Sequence, residues 1–263
     1  MKRKLMTVLL IILLIIFGIS SYNIIKWTIH NKRNDNILNI IEDKVNIEEI
    51  TQTTTNIIQN NTTTQTPNMY YDYTKVNLID VNFEELKKIN KDTKGWIQVL
   101  GTNINYPYVQ GKNNKYYLTR SFDKKYTDAG WVFMDYRNNS KDFDKNTLIF
   151  AHARKNNTMF GELDKVLKKD WFSNSNNHFI KISTETTNSI WQIFSVYHIP
   201  TTNDYMQINF KSNDEFYNLI KIFKQRSKHN FKVTLSKKDK ILTLSTCYKD
   251  DSHRVVVHAK LLK

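Results

Sequence analysis

A mainly β chain closed as a barrel is the fold class that the sequence predicts, and three observations carry the prediction. From Trp96 onward, short runs rich in Val, Ile, Phe, Tyr and Thr recur between polar turns, the spacing of an all-β domain. Beyond the N-terminus helical stripes are few, and the best of them is Ser212 to Arg226. The last twenty-odd residues then hold two β-type runs, Ile241–Cys247 and Arg254–Lys260, around a polar loop from Tyr248 to His253.

At 263 residues the chain is long enough for one sizeable core plus appendages. Lys and Arg outnumber Asp and Glu by 39 to 25, a formal charge of +14. The excess is spread along the chain without an arginine-rich tract or nucleic-acid module, so no nucleic-acid partner is expected. Met1-Lys2-Arg3-Lys4 precedes an uncharged apolar stretch, Leu5 to Ile25, which as a helix spans about 31 Å, enough to cross a hydrocarbon core of about 30 Å. A cleaved signal peptide would want a shorter apolar region and a small-x-small exit. Residues 1–25 are therefore expected to be a cytoplasmic tip and an uncleaved signal anchor, N-terminus inside and the remainder outside. Residues 26–69 are expected to be a juxtamembrane segment and spacer: Ile37, Leu38, Ile40, Ile41 and Val45 give a partial helical stripe, and Thr51 to Asn68, mostly Thr, Asn and Gln, reads as flexible. Residues 70–263 form the main domain.

Within it, Asn82 caps a short helix carrying Phe83, Leu86 and Ile89, with Gly95 helping to end that region. Trp96–Leu100 and Ile104–Val109 are strands around the turn Gly101-Thr102-Asn103, and Pro107 marks an edge or bulge. Lys115 to Arg120 reads as a short helix, and Trp131–Met134 as a strand before the polar turn Asp135 to Asp142. Thr147–Phe150 is a strand ending near His152. Met159 to Leu167 has a helical stripe. Phe179–Ile182 and Ile190–Tyr197 are strands. The helix after Ser212 has a capping box closed by Glu215, a stripe of Phe216, Leu219, Ile220 and Phe223, and a solvated face with Lys221, Lys224 and Arg226.

Cys247 is the only cysteine, so no internal disulfide forms and the thiol stays available for chemistry. Pairing the two C-terminal runs as an antiparallel hairpin brings Cys247 opposite Arg254, and a guanidinium beside a thiol favours the thiolate. Such a nucleophile needs a proton acceptor. His152, at a strand end opening into a polar loop, is the best candidate. His253 lies on the face opposite Arg254, His258 shares that face but sits farther along as a packing or hydrogen-bonding residue, and His178 is expected to face solvent. Asp250 and Asp251 read as turn residues. Thr246 and Ser245 are pocket formers, and Tyr106, Leu118 and Met134 core or groove wall. Neither a compact metal-ligand pattern nor a phosphate loop is present, and no cofactor is expected.

Thr243-Leu244-Ser245-Thr246-Cys247 with Arg254 downstream and Phe150-Ala151-His152 upstream resembles the sortases, the transpeptidases that anchor proteins to the Gram-positive cell wall, and among them class B. The likeness runs from about Asn82 to the C-terminus. It includes Ile104-Asn105-Tyr106-Pro107, Val109-Gln110-Gly111, Asn114-Lys115-Tyr116-Tyr117-Leu118, Phe133-Met134-Asp135-Tyr136-Arg137-Asn138 and Thr158-Met159-Phe160-Gly161. Ala151 stands where a glycine normally precedes the histidine, and Trp131 where a small residue is more common; both are expected to reshape the groove. The resemblance implies an eight-stranded sortase-like β-barrel with N-terminal helices and a helix in the long loop before the final strands, within residues 201–229. It also implies catalysis by Cys247, His152 and Arg254 through a thioester. The expected partners are secreted proteins bearing an NPxTN-like or PxTG-like sorting signal, an amine on a peptidoglycan precursor or pilin, and the membrane that holds the anchor.

Two rival classes differ in what they explain. A papain-like or NlpC-like hydrolase normally has its cysteine before its histidine and at a helix start, the reverse of this chain. A nonenzymatic wall-binding module suits the anchor and basic charge but leaves Cys247, His152 and Arg254 together unexplained.

Overall fold

The computed structural model of the protein describes residues 2–51, 75–247 and 252–263. Its strands are β1 (Ile47–Ile50), β2 (Leu78–Val81), β3 (Thr93–Val99), β4 (Asn105–Val109), β5 (Phe133–Met134), β6 (Asn146–His152), β7 (Phe179–Ser183), β8 (Asn188–Pro200), β9 (Ile241–Cys247) and β10 (His253–Leu261). The α-helices are α1 (Lys2–Lys44), α2 (Phe83–Ile89), α3 (Lys169–Ser173) and α4 (Asn213–Arg226). Eight strands close into a barrel in the order β10-β8-β7-β3-β4-β5-β6-β9, while β1 and β2 pair as a separate antiparallel sheet. The mainly β, eight-stranded architecture implied by the sequence is the one observed, with α4 in the connection before the final two strands. Closure leaves no long open edge for another chain to pair with.

The N-terminus is one helix from Lys2 to Lys44, and the apolar residues along Leu5–Ile25 are exposed, whereas Asn31, Asn34 and Ile41 are buried against the domain. β1 lies in the 26–69 segment and pairs with β2, Ile47 opposite Val81 and Ile50 opposite Leu78. Beyond Thr51, the spacer expected to Asn68 and the domain start expected near Tyr70 lie outside the described residues.

Several local expectations are corrected by the backbone. The Asn82 side chain does accept from the Glu84 N–H at 2.9 Å, but helix α2 ends at Asn90, and Gly95 lies inside β3, where a Cβ would meet the Tyr108 hydroxyl at 2.4 Å. Lys115–Arg120 yields only a 3-10 turn, Tyr116–Leu118, and the strand near Trp131 is confined to Phe133–Met134. The apolar stripe from Met159 forms no helix until a 3-10 turn at Leu163–Leu167, because Asn157 and Met159 take φ of 64° and 55°, outside helical space. At α4 the Ser212 hydroxyl accepts from the Glu215 N–H at 3.1 Å, but the Glu215 carboxylate takes the Lys211 N–H instead of completing the box at Ser212. The cationic face of α4 is exposed at Lys221 and Lys224 as expected, and it also makes contacts: Lys224 donates to the Val233 carbonyl at 2.7 Å, and Arg226 pairs with Asp204.

Helix α4 covers the sheet by stacking Phe223 on His258, ring centroids 3.9 Å apart. His258 is fully buried, bonded through Nε2 to the Tyr197 hydroxyl and through Nδ1 to the Thr243 hydroxyl, both at 2.8 Å. Burial, reinforced by the Arg226 charge, holds its pKa well below the ordinary 6.5. The unfolded chain therefore takes up a proton near pH 6.5 that the folded chain refuses. The stability from a neutral His258 is complete above that pH and is lost as pH falls below it, at up to about 1.4 kcal/mol per pH unit. His258→Gln is expected to be less stable at neutral pH, with the gap to wild type narrowing on acidification. Urea unfolding of both proteins across pH 5 to 8, roughly the range where histidines titrate, checks this; a gap that stays constant would sink it.

Candidate active site

Strand β9 lies between β6, with which it runs parallel, and β10, with which it runs antiparallel. The ladder pairs His152 with Cys247 across β6–β9 and Cys247 with Arg254 across β9–β10. The three predicted residues thus occupy one row across three adjacent strands at one end of the barrel. Equivalent positions on neighbouring strands lie about 5 Å apart, so the row spans the width of one extended peptide. The strands are positioned by their buried alternate residues: Leu242 and Leu244 of β9 and Val255 and Val257 of β10 are all sealed in the core.

The His152 ring is half-buried, and its Nε2 lies 2.8 Å from the Leu118 carbonyl oxygen. A carbonyl can only accept, so Nε2 carries a proton, and Nδ1 is the nitrogen left to exchange one. The backbone after His152 is fixed from behind: its carbonyl accepts the Phe160 N–H at 3.1 Å, and Ala153 bridges to Met159. Gly161 permits this fold-back, since a Cβ there would meet the Arg154 carbonyl at 2.5 Å. The stretch Thr158–Gly161 thus braces the backbone that carries His152.

A second family-like stretch braces β6 from the other side. Asp135 is fully buried; burial pushes its carboxyl up, but the Arg137 guanidinium, bonded at 2.9 and 2.8 Å, and Asn114 together hold it below the usual carboxylate range. Asn138 donates to the Asn146 carbonyl and accepts from the Leu148 N–H, both at 2.9 Å, locking the turn to the start of β6. From the long connection, the Tyr205 hydroxyl bonds Ser245 at 2.9 Å, tying that segment to the cysteine-bearing strand.

The other histidines are elsewhere. His253 is exposed and opposite Pro200 on β8. His178, expected in solvent, is buried: its ring stacks on Phe172 and its Nε2–H donates to the Phe172 carbonyl at 2.8 Å. Tyr106 and Met134 are core, and Leu118 is partly buried. Asp250 and Asp251 lie outside the described residues. Trp131 is likewise buried, its indole N–H donating to the Pro107 carbonyl at 2.8 Å, and Ala151 is buried too, so both act through packing rather than as groove surface. A cleft of about 440 Å³ adjoins the row; its charged lining, Arg154, Lys155, Lys168 and Asp164, is net positive, and Phe160, Thr246 and Val255 are among its uncharged walls.

Residue-type reasoning missed Leu118 and Gly130. Leu118 acts through its backbone, which side-chain chemistry does not advertise. Gly130 has φ of 60°, and a Cβ would lie 2.7 Å from the Tyr117 carbonyl, 2.8 Å from that of Leu118 and 3.0 Å from the His152 ring. Gly130→Ala adds about 1–2 kcal/mol of left-handed backbone strain and pushes on the carbonyl that orients His152. A loss of about tenfold in kcat/KM is expected, with the thermal midpoint measured alongside; unaltered kcat/KM in the folded variant would refute the orienting role.

A histidine, a cysteine and an arginine in one row at the end of a closed eight-stranded barrel define a sortase-type transpeptidase, and the family model described as Sortase domain matches residues 97–262. The chain belongs to the sortase family. Within it the likeness is to class B: the chain is 32% identical to sortase B of Staphylococcus aureus over 100% of its own length and 98% of that protein's, and 36% identical to sortase B of Listeria monocytogenes over 68% and 73%. Among solved structures, the Staphylococcus aureus sortase B–substrate complex superposes with a TM-score of 0.65 at 36% identity, covering 69% of this chain and 84% of that one. Clostridium perfringens sortase B gives 0.65 at 33% identity, covering 69% and 100%. The chain is accordingly a class B sortase transpeptidase.

Proposed function

We propose that the enzyme cleaves a C-terminal sorting signal after its threonine and joins the new acyl group to a cell-wall amine through a thioester on Cys247. The single row His152–Cys247–Arg254 is the observation that supports this reading most directly. The Cys247 thiolate attacks the threonine carbonyl carbon, and the carbonyl oxygen becomes an oxyanion facing the Arg254 guanidinium. The C–N bond breaks as the His152 imidazolium gives its proton to the leaving amine, leaving a thioester and a released C-terminal peptide. An incoming amine then attacks the thioester and gives its proton to His152, and the thiolate departs.

The substrates in this reading are secreted proteins with NPxTN-like or PxTG-like signals, and the acceptor is an amine of a peptidoglycan precursor or pilin. Solved sortase B complexes carry a substrate in one case and a glycine tripeptide in another, the two kinds of ligand such an exchange requires. Leu5–Ile25 is the single span of a membrane anchor, with the barrel outside the cell; α1 is long and apolar enough to cross, and none of its apolar window is buried in the protein. Incubating the enzyme with a library of sorting peptides, with and without an amine acceptor, tests the reaction. Cleavage with amine-linked product supports transpeptidation, whereas hydrolysis that ignores the amine would favour a hydrolase.

Arg254→Lys keeps the charge but replaces a planar fork of donors with a flexible point charge. Loss of one aimed oxyanion donor costs about 3 kcal/mol, about a hundredfold in kcat/KM. Wild-type kcat/KM in a variant with native near-ultraviolet circular dichroism would reduce Arg254 to a generic electrostatic role.

A further inference from the structure

We infer that the face formed by residues 116–128 and the adjoining turns of α1 is a membrane-surface contact that sits among anionic lipid headgroups and holds the barrel mouth at the bilayer. The inference rests on reading Leu5–Ile25 as a membrane span. Because α1 continues unbroken to Lys44, the helix itself measures height above the membrane. At 1.5 Å per residue, Lys26 to His30 lie within about 8 Å of the end of the apolar stretch, and the headgroup layer of one leaflet is about 5–8 Å deep.

The domain touches α1 at that height. Lys26 Nζ pairs with the Asp128 carboxylate at 3.2 Å, the Asp128 N–H donates to His30 Nδ1 at 3.2 Å, and the His30 and Tyr126 rings meet edge-on at 5.8 Å. One turn farther, Arg33 pairs with Asp123 at 3.5 Å, the Asn34 amide donates to the Gly130 carbonyl, and Arg154 donates to Asn31. These contacts place Tyr126 and Asp128 beside the headgroups, with Asp123, held by Arg33 about 12 Å beyond Ile25, at their outer margin.

What that face displays fits the location. Tyr126 and Tyr116 are 49% and 40% exposed, and Trp27 on α1 is 47% exposed. The Arg120 guanidinium lies 5.3 Å from the Tyr126 ring and 5.6 Å from the Tyr116 ring. Lys124 and Lys125 are exposed beside them. The face's own acids, Asp123 and Asp128, are already paired with Arg33 and Lys26. Lys124 and Lys125 also reach Asp92 and Asp123, but such exposed pairs are weak and do not prevent lipid contact. Amphipathic aromatic rings with basic side chains are the residues that favour a bilayer interface, and the cations select anionic lipid. Gly130, two residues beyond Asp128, borders the His152 ring. The row that holds His152 therefore opens close to the membrane surface.

Depth-dependent fluorescence quenching tests this on the full-length chain carrying Cys247→Ala, so that each added cysteine takes a single label. Thr119→Cys reports the proposed face, Ile16→Cys the span, and Lys237→Cys the opposite end of β6. The proteins are reconstituted in phosphatidylglycerol–phosphatidylcholine vesicles containing lipids spin-labelled in the headgroup or the acyl chain. The label at 119 should be quenched by headgroup probes, that at 16 by acyl-chain probes, and that at 237 by neither. Replacing Arg120, Lys124 and Lys125 by Gln should release the label at 119, each lost cation lowering the docked-to-undocked ratio about fivefold. Quenching at 16 without quenching at 119 overturns the proposal while leaving the span intact; absence of both overturns the span and the proposal with it. Equal quenching at 119 in pure phosphatidylcholine or in the triple variant overturns the anionic-lipid assignment.

Discussion

Cys247→Ala is expected to abolish both peptide cleavage and covalent substrate capture while leaving the barrel folded. Position 247 ends β9, after the fully buried Ile241, Leu242 and Leu244, and the strand is held on both sides by ladders to β6 and β10. Those contacts do not need the sulfur. Removing the nucleophile removes the path through which both half-reactions pass, and knocking out the nucleophile of a concerted catalytic group costs about a millionfold in kcat. Intact-mass spectrometry during turnover is the direct measurement: the wild type should show a substrate-linked mass and the variant none. A substrate-linked species at wild-type abundance in Cys247→Ala would move the nucleophile elsewhere.

The place of Cys247 in the row was readable because strands alternate with period two and the chain offers one cysteine. The hairpin register predicted from Ile241–Cys247 and Arg254–Lys260 is the observed one, Cys247 opposite Arg254. The parallel pairing that brings His152 alongside is different in kind. It joins strands far apart in sequence, which local pattern does not specify; only the order of motifs pointed to it. What stayed hidden was carried by backbone rather than side-chain type. The Leu118 carbonyl orients His152 through main-chain geometry, and the left-handed turn at Asn157 and Met159 overrides an apolar stripe that reads as helix. His178 follows Asn176 and Asn177 and so looks solvated, yet its ring is stacked between aromatic neighbours. Asn31 and Asn34 likewise look like the polar side of a juxtamembrane helix until the domain is seen packed against them.

His152→Ala is expected to lower kcat for both acylation and transfer by about a thousandfold, within the range of positioned general acid–base catalysis, whereas His253→Ala should remain close to wild type. The asymmetry follows from geometry. His152 shares the row of Cys247, and its Nε2–H is committed to the Leu118 carbonyl at 2.8 Å. With one nitrogen fixed as donor, the other is left to move the proton in each half-reaction, and the same carbonyl stabilises the imidazolium once it forms. His253 is exposed, bonds to the Ser252 hydroxyl at 2.6 Å and aligns with Pro200 rather than with the cysteine strand. Single-turnover progress curves, first with sorting peptide alone and then with an amine added to preformed thioester, separate the two steps for each variant. If His152 supplies the proton both times, its replacement slows both phases. A His152→Ala enzyme that retains fast acylation and fails only at transfer would show that the leaving amine takes its proton from another source, and a profound loss at His253 with His152 dispensable would reverse the two roles.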